Sequence, residues 1–282
     1  QILIATFTEK AAKEIITRIS NELLDRNIPA NINEMYIGTF HQICLRLIKE
    51  HIEYSGIRKN FRTVDDFEQK YLVFQNIGRF RNIPDFNCIV QKNSSTWSKA
   101  DCICKFVNNL SEEMVKPADL AADHDPFYSA LGKIWMEYQK LTDEKNFLDF
   151  SGILTEAYRL VSENEKVLAE VREKIKYLMI DEYQDTNYIQ EQLVFKLAGQ
   201  EQNICVVGDD DQGLYRFRGA TIRNILEFPS KFETGRCRVV RLTENYRSNT
   251  DVVEFYNNWM ETTTGDGFSF RWDGYRYPKK II

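Results

Sequence analysis

The sequence predicts an α/β protein with a mostly parallel sheet flanked by helices and an all-helical segment inserted between its strands. Short apolar runs alternate with helical patterns in both the first and the last part of the chain. Such alternation is typical of parallel sheets with right-handed crossovers. Between these parts, residues 51–147 are helical and aromatic in character and contain no convincing strand.

The composition is that of a globular protein and excludes several functional classes. The chain has 282 residues, of which 43% are hydrophobic and 28% charged, and its formal net charge is −5 at pH 7. This charge argues against a protein that coats nucleic acid, although a locally basic groove stays possible. No apolar run of about 18 residues and no signal-peptide pattern occurs, so we expect no transmembrane helix.

The cysteines do not form a metal-site pattern. Of the six, only Cys102 and Cys104 are close together, no C-x-x-C pair exists, and the three histidines are scattered. A zinc or iron–sulfur site is therefore not expected. Several cysteines lie in apolar runs, such as Cys205 within residues 204–207, which indicates buried, reduced thiols. Reduced thiols are typical of the cytosol, so we expect a cytoplasmic location.

Two strand-to-helix units precede the helical segment. Residues 2–7 are apolar and predict a buried strand. Thr8 is a suitable N-cap for a helix over about residues 9–26, where apolar side chains recur at helical spacing. Residues 36–38 predict a short second strand, and Thr39 is expected to cap a helix that runs to about residue 49.

Buried strands are predicted again at residues 177–180, 204–207 and 238–242, each followed by a helical pattern. Asp181 and Glu182 follow the first of them, and Asp185 or Thr186 is expected to cap the next helix. Ligands of open α/β sheets bind beyond the carboxyl ends of the strands. An Asp-Glu pair there can hold magnesium and orient a water for phosphate hydrolysis; solvated acids at a strand end are the common alternative.

A second polar cluster follows the strand predicted at 204–207. Gly208 and three consecutive aspartates lead to Gln212, whose amide is suited to contacting a γ-phosphate. The following Tyr215-Arg216-Phe217-Arg218 interleaves aromatic and cationic side chains, which suits base stacking and phosphate contact. An amphipathic turn with Phe217 in the core is an equally good interpretation of this run.

Three further junctions place polar groups next to predicted strands. Arg247 lies beyond residues 238–242, where a guanidinium can pair with a phosphate across a cleft. Thr6-Phe7-Thr8 and Gly38-Thr39-Phe40-His41 place hydroxyls and aromatic rings where strands lead into helices, and helix N-termini bind phosphate. Taken singly, a surface arginine and ordinary helix caps with core phenylalanines are the simpler interpretations.

Together and in this order, the segments resemble the motifs of the UvrD/Rep/PcrA-type superfamily 1 DNA helicases. Residues 4–12 resemble motif Ia, 38–41 motif Ib, 181–187 motif II (the Walker B box), 208–220 motif III and 245–248 motif IV. The matches to motifs II and III are long and nearly ungapped. Residues 147–150 also resemble the point where the family's chain re-enters its first RecA-like domain.

The resemblance implies part of an ATP-dependent DNA helicase that moves 3′ to 5′ on single-stranded DNA and unwinds duplexes in DNA repair, replication or recombination. It implies a RecA-like, P-loop NTPase domain formed by residues 1–50 and 148–250. An inserted helical subdomain would span residues 51–147, and a second RecA-like domain would begin at 251–282. ATP, Mg²⁺ and both single-stranded and duplex DNA are the implied ligands.

The resemblance also implies roles for individual residues. Asp181 would serve Mg²⁺ and Glu182 the attacking water, while Gln212 and Arg247 would contact the γ-phosphate and Tyr246 would stack on adenine. The side chains implied to contact DNA, by stacking or near its backbone, are Phe7, Thr39, His41, Tyr215, Phe217 and Arg218. Arg218 would in addition bridge motif III to motif II.

The chain departs from the family's pattern at several positions. Glu9 stands where the family usually has asparagine, which places an acid near the expected DNA path, and Gly213 replaces a common serine. No G-x-x-x-x-G-K-[ST] sequence occurs, and the only Gly-Lys pair, Gly132-Lys133, lies in a helical pattern. We therefore expect a fragment without the family's first strand and phosphate loop, which does not hydrolyse ATP by itself.

The sequence leaves alternatives open. A helicase–nuclease subunit of the RecB/AddA type would carry the same motifs and differ only in sequence beyond this chain. A non-catalytic single-stranded-DNA-binding module with a decayed ATP site is disfavoured by the joint presence of Asp181, Glu182, Gln212 and Arg247. An ATPase unrelated to nucleic acid is disfavoured by Phe7, Phe217 and Arg218.

Overall fold

The fold is organised around a parallel β-sheet, as the sequence predicts. The computed structural model describes residues 1–213, 222–262 and 281. The main sheet has the strand order β2-β1-β5-β6, and β3 and β4 form a separate parallel pair. The strands are β1 (Ile2–Thr6), β2 (Tyr36–Thr39), β3 (Arg62–Thr63), β4 (Phe147–Leu148), β5 (Tyr177–Ile180) and β6 (Ile204–Val206).

Helices connect the strands and make up the inserted segment. Two of them, α1 and α2, follow β1 and β2; the others lie between β3 and β4, around β5 and β6, and near the end of the chain. They are α1 (Glu9–Asp25), α2 (Phe40–Glu50), α3 (Asp66–Gln75), α4 (Ile77–Arg81), α5 (Phe86–Ile89), α6 (Thr96–Glu112), α7 (Pro117–Ala121), α8 (Pro126–Lys145), α9 (Phe150–Glu163), α10 (Glu165–Lys174), α11 (Tyr188–Ala198), α12 (Arg223–Glu227) and α13 (Thr250–Thr262).

The first two strand-to-helix junctions form as the sequence predicts. Thr8 caps α1, since its hydroxyl accepts a 3.2 Å hydrogen bond from the Ala11 backbone N–H. Thr39 caps α2 in a reciprocal capping box with Gln42. In the β1–β2 ladder Thr6 lies opposite Thr39. The parallel register therefore brings both junctions side by side at the carboxyl edge of the sheet.

Two separate hydrophobic clusters hold the described residues together. The first packs the sheet against α2, α9, α10 and α11, with Leu47, Leu154 and Leu178 almost fully buried. The second lies inside the inserted segment, where Phe80 and Ile134 are fully buried between its helices. The helical character expected for residues 51–147 is confirmed, apart from two very short strands at its ends.

Those two short strands, β3 and β4, were not predicted. They join the points where the chain enters and leaves the insert, through a 3.0 Å hydrogen bond from Arg62 N–H to Asn146 O and another from Val64 N–H to Leu148 O. Strands of two residues are too short to show an alternating pattern, so periodicity cannot reveal them.

The prediction of full burial for residues 177–180 and for Cys205 is wrong. Tyr177 and Met179 are 53% and 41% exposed, while the alternate residues Leu178 and Ile180 are buried. Cys205 is exposed as well. Helix α11 packs on β5, and the side chains on the other face of β5 and β6 are exposed. One face is therefore apolar and buried, and the other is apolar and accessible.

The strand predicted at residues 238–242 is not formed. Val239, Val240 and Leu242 are 53%, 65% and 86% exposed, and the segment has no regular secondary structure. A strand needs a neighbour for its backbone hydrogen bonds, and no described strand lies beside this segment. Among the residues described, no helix is long and apolar enough to cross a membrane.

Candidate functional site

The Asp181-Glu182 pair leaves β5 at the carboxyl edge of the sheet. The Asp181 backbone N–H continues the ladder by donating to Ala5 O at 2.9 Å. Glu182 has a φ of +52°, in the left-handed region that a residue with a side chain seldom adopts. This bend turns the chain sharply out of the strand, and it leaves Glu182 exposed beside the half-buried Asp181. Backbone strain of this kind concentrates at functional sites.

Gln184 connects the ends of β5 and β6. Its side chain is only 1% exposed; its Nε2 donates to Glu182 Oε2 at 2.6 Å, and its Oε1 accepts from the Asp209 backbone N–H at 3.0 Å. A Cβ on Gly208 would lie 2.5 Å from Gln184 Oε1, so only glycine fits there without displacement. The amide is fixed by the backbone that follows β6, and from this position it orients the Glu182 carboxylate.

Gln212 lies at the same edge, in a short 3₁₀ turn, Asp210–Gln212, that follows β6. Its Nε2 donates to Asp209 Oδ2 at 2.8 Å, and Asp209 Oδ1 accepts from the Asp211 backbone N–H at 3.1 Å. The Gln212 amide is thus held by its own turn and remains exposed. Tyr215, Phe217 and Arg218, which the sequence assigns to the same motif, lie outside the described residues.

Asp185 is a buried carboxylate close to the Asp181-Glu182 pair. It is 8% exposed, and burial together with the nearby Glu182 charge raises its pKa. Among the described residues its Oδ1 has no hydrogen-bond partner. The cap of the next helix is Asn187, which forms a capping box with Gln190, so the expectation that Asp185 or Thr186 caps α11 is wrong. Asparagine is a good N-cap, and Asn187 directly follows Thr186 in the sequence.

The segment after the undescribed residues is fastened to the Asp181–Asn187 loop by buried polar contacts. Asn224 Nδ2 donates to Thr186 O at 3.1 Å. Glu191, 1% exposed, accepts from the Tyr183 hydroxyl at 3.1 Å and pairs with Lys231 Nζ at 2.5 Å. Burial and the Glu191 charge raise the pKa of Tyr183, so its hydroxyl stays a donor. These contacts fix the position of the loop relative to α11 and α12.

Tyr246 and Arg247 lie in an exposed turn near the end of the described chain. Asn245 Oδ1 accepts from the Arg247 and Ser248 backbone N–H groups, at 2.9 Å in each case. Tyr246 is 89% exposed, and its hydroxyl donates to Glu244. Within the described residues, no hydrogen bond or ion pair joins Tyr246 or Arg247 to the Asp181-Glu182 pair. The described contacts therefore do not connect these two groups.

The β1 and β2 junctions form a neighbouring surface on the same edge. Phe7 is half-buried, and Thr39 is committed to capping α2. His41, in the first turn of α2, is half-buried, and burial lowers its pKa to about 4. His41 is therefore neutral at pH 7 and can approach a phosphate only as a hydrogen-bonding group.

Phe150 belongs to this surface and was missed in the sequence. Its ring is 43% exposed and meets the His41 ring edge to face, with 5.3 Å between centroids. An exposed phenylalanine next to a helix N-terminus can stack on a base. One local pattern in the sequence does point to Phe150. It directly follows the N-cap Asp149, just as Phe40 directly follows the N-cap Thr39.

A buried network holds Phe150 in place. Asp149 Oδ1 accepts from the Gly152 backbone N–H at 2.6 Å, which caps α9. Its Oδ2 accepts from Gln69 Nε2 at 2.9 Å and from the Tyr138 hydroxyl, two side chains of the inserted helices. Burial raises the pKa of Asp149, and the hydrogen bonds oppose that rise. The network connects the insert to the start of α9.

Comparisons with known proteins agree with this arrangement. Residues 1–233 match the family model described as the UvrD/REP helicase N-terminal domain. The chain is 31% identical over 256 residues to a DNA helicase II of Haemophilus influenzae, covering 91% of the chain and 33% of that protein. It is 32% identical over 266 residues to an ATP-dependent DNA helicase PcrA of Bacillus subtilis, covering 93% and 33%.

A third similar protein is covered to about the same extent. An ATP-dependent DNA helicase UvrD1 of Mycobacterium bovis is 30% identical over 277 residues, covering 94% of the chain and 34% of that protein. The chain thus spans about a third of the length of these relatives.

Proposed function

The chain belongs to the family of the UvrD/REP helicase N-terminal domain, and from this premise we propose that it is part of an ATP-dependent DNA helicase. The whole protein would move 3′ to 5′ along single-stranded DNA and unwind duplexes in repair, replication or recombination. The observation that carries the proposal is the shared carboxyl edge, where an acidic pair and two capped helix N-termini with aromatic side chains lie on neighbouring strands. A cytoplasmic location stays a prediction.

We assign the Asp181-Glu182 pair to ATP and Mg²⁺. The chemistry of these donors fits the ion, because carboxylates are ligands that Mg²⁺ prefers, and Asp181 accepts a hydrogen bond only at Oδ1 in the contacts described. Bound Mg²⁺ would neutralise charge on the phosphates. Glu182, oriented by Gln184, would accept a proton from the attacking water. Gln212 and Arg247 would reach the γ-phosphate and Tyr246 the adenine.

We also propose a division of the chain into domains. Residues 1–50 and 148–250 would form the first RecA-like domain, and residues 51–147 would form the inserted subdomain, with a second RecA-like domain beginning at 251. In support, the two hydrophobic clusters share no buried residue. We further propose that Arg218 bridges motif III to motif II, as the resemblance implies.

Single-stranded DNA would cross the surface formed by Phe7, Thr39, His41 and Phe150, with Tyr215 and Phe217 contributing further stacking. Base stacking on an aromatic side chain contributes about 1–3 kcal/mol. We expect Phe150→Ala to weaken binding of a fluorescein-labelled oligo(dT) about fivefold or more, as measured by fluorescence anisotropy, and Phe217→Ala to have a similar effect.

A matched control separates stacking at this edge from a general loss of exposed aromatic surface. Phe67 is 65% exposed on α3 of the insert, and Phe67→Ala should leave the dissociation constant within about twofold of the wild type. Equal affinities of Phe150→Ala and the wild type would remove Phe150 from the binding surface. Equal losses for Phe150→Ala and Phe67→Ala would contradict a DNA path along the carboxyl edge.

A further inference from the structure

Glu9 is an exposed acid fixed between the two junctions that the proposed function assigns to DNA. It is the first residue of α1, and its Oε1 accepts a 3.1 Å hydrogen bond from Gln42 Nε2. The other amide atom of Gln42, Oε1, accepts from the Thr39 backbone N–H at 2.9 Å. The Glu9 carboxylate is thus held toward the N-terminus of α2 instead of extending freely into solvent.

The strand register makes this contact possible. Thr6 lies opposite Thr39 in the β1–β2 ladder, so α1 and α2 start next to each other on the same edge of the sheet. The Glu9–Gln42 hydrogen bond spans the gap between the two helix starts. A phosphate backbone that followed the Phe7 and Thr39 junctions would have to pass this carboxylate.

No ion pair of the Glu9 carboxylate occurs among the described residues. His41 is neutral at pH 7, because burial lowers its pKa to about 4. Arg46 shares a groove of about 330 Å³ with Glu9 and Lys13. Its guanidinium, however, is committed to Glu50 at 2.7 Å and to Met35 O at 2.8 Å. Lys10 and Lys13 are exposed on α1 and have no described ion pair.

We propose that Glu9 lowers the affinity of this surface for single-stranded nucleic acid by repelling the phosphate backbone. The inference rests on the proposed function, since it concerns the same DNA path. Two unit charges of like sign about 6 Å apart in water repel each other enough to reduce affinity about threefold. A second phosphate within the Debye length, about 10 Å at 0.1 M salt, would enlarge the effect.

Glu9→Gln tests the charge while keeping the geometry, because a glutamine oxygen can still accept from Gln42. Binding of a fluorescein-labelled oligo(dT) in about 50 mM NaCl should tighten roughly three- to tenfold, and the gain should shrink as salt is raised. Glu9→Asn, which removes the charge and shortens the side chain away from Gln42, should give a similar gain. Circular dichroism would verify that each variant is folded.

Glu22→Gln is the matched control. Glu22 lies on the same helix, is exposed and is paired with Arg26 at 2.5 Å, and its position thirteen residues along α1 places it about 20 Å away. This variant removes the same charge and should bind within about twofold of the wild type. An equal gain in Glu22→Gln would overturn the inference, because the effect would then come from net charge alone.

The remaining outcomes distinguish the inference from the proposed function. If the wild type binds and Glu9→Gln binds no more tightly, the role of Glu9 is refuted while the proposed DNA-binding function stands. If neither the wild type nor any variant binds single strands, the proposed function fails and the inference fails with it. A wild type that binds below detection alongside a Glu9→Gln variant that binds measurably would support both.

Discussion

ATP hydrolysis by the 282-residue chain is expected to stay below about 10⁻³ s⁻¹, roughly a thousandfold or more below typical enzyme turnover. The chain has the Asp181-Glu182 pair that we assign to ATP and Mg²⁺, but it has no G-x-x-x-x-G-K-[ST] sequence. In P-loop enzymes the backbone N–H groups and the lysine of that loop position the β- and γ-phosphates. Without that loop, no γ-phosphate would be positioned for the water that we propose Glu182 to activate.

Phosphate release with Mg²⁺ and oligo(dT) present is the measurement. Glu182→Gln is the control, because it keeps the side-chain size and can still hydrogen-bond to Gln184 while removing the base. Both proteins should give the same background rate. A Mg²⁺-dependent rate in the wild type that disappears in Glu182→Gln would contradict the prediction and would mean that this chain holds the phosphates by another route.

Gly132→Ala is expected to lower the free energy of unfolding by about 3 kcal/mol, at the upper end of typical overpacking costs. Gly132 lies in α8 where α7 crosses it, and a Cβ there would lie 2.2 Å from Ala121 N and 2.7 Å from Pro117 O. These are backbone atoms, so no side-chain rotation can relieve the overlap and α7 has to move. Gly132 therefore serves helix packing within the insert, and the Gly132-Lys133 pair lies inside a helix as expected.

Gly78→Ala is the control for this substitution. Gly78 lies in α4, and nothing is within 4 Å of the position its Cβ would take. Alanine there should stabilise the protein by about 0.5–1 kcal/mol, because glycine is unfavourable inside helices. Urea unfolding followed by circular dichroism compares the two. A Gly132→Ala variant as stable as the wild type would refute the close contact between α7 and α8.

The parts of the fold that the sequence predicts well are those specified locally. A threonine cap before a periodic apolar helix identifies the starts of α1 and α2, and the run at 177–180 coincides with β5. The wrong predictions concern features that depend on which other elements lie beside a segment. In the part of the chain that is described, the segment at 238–242 has no adjacent strand, and Cys205 lies on an exposed face of β6. Apolar composition alone does not reveal whether a partner is present.

The candidate site also has parts that the local sequence predicts and parts that it does not. Adjacent carboxylates after a strand locate Asp181 and Glu182, because strand direction places both at the edge. The hydrogen bonds of Gln184 to Glu182 and Asp209 depend on the pairing of β5 with β6. The ring contact between Phe150 and His41 joins residues that are distant in sequence. Neither leaves a local pattern. Whether Tyr246 and Arg247 complete the ATP site stays a prediction.

The most direct test of the central claim, that this chain carries part of a helicase's DNA path, is a titration of labelled oligo(dT) with the wild-type chain at two salt concentrations. The account predicts saturable binding that unlabelled oligo(dT) displaces. For two to three phosphate contacts, the affinity should fall about five- to twentyfold between 50 and 200 mM NaCl. Absence of saturable binding at 50 mM NaCl, or a dissociation constant that does not change with salt, would contradict the account.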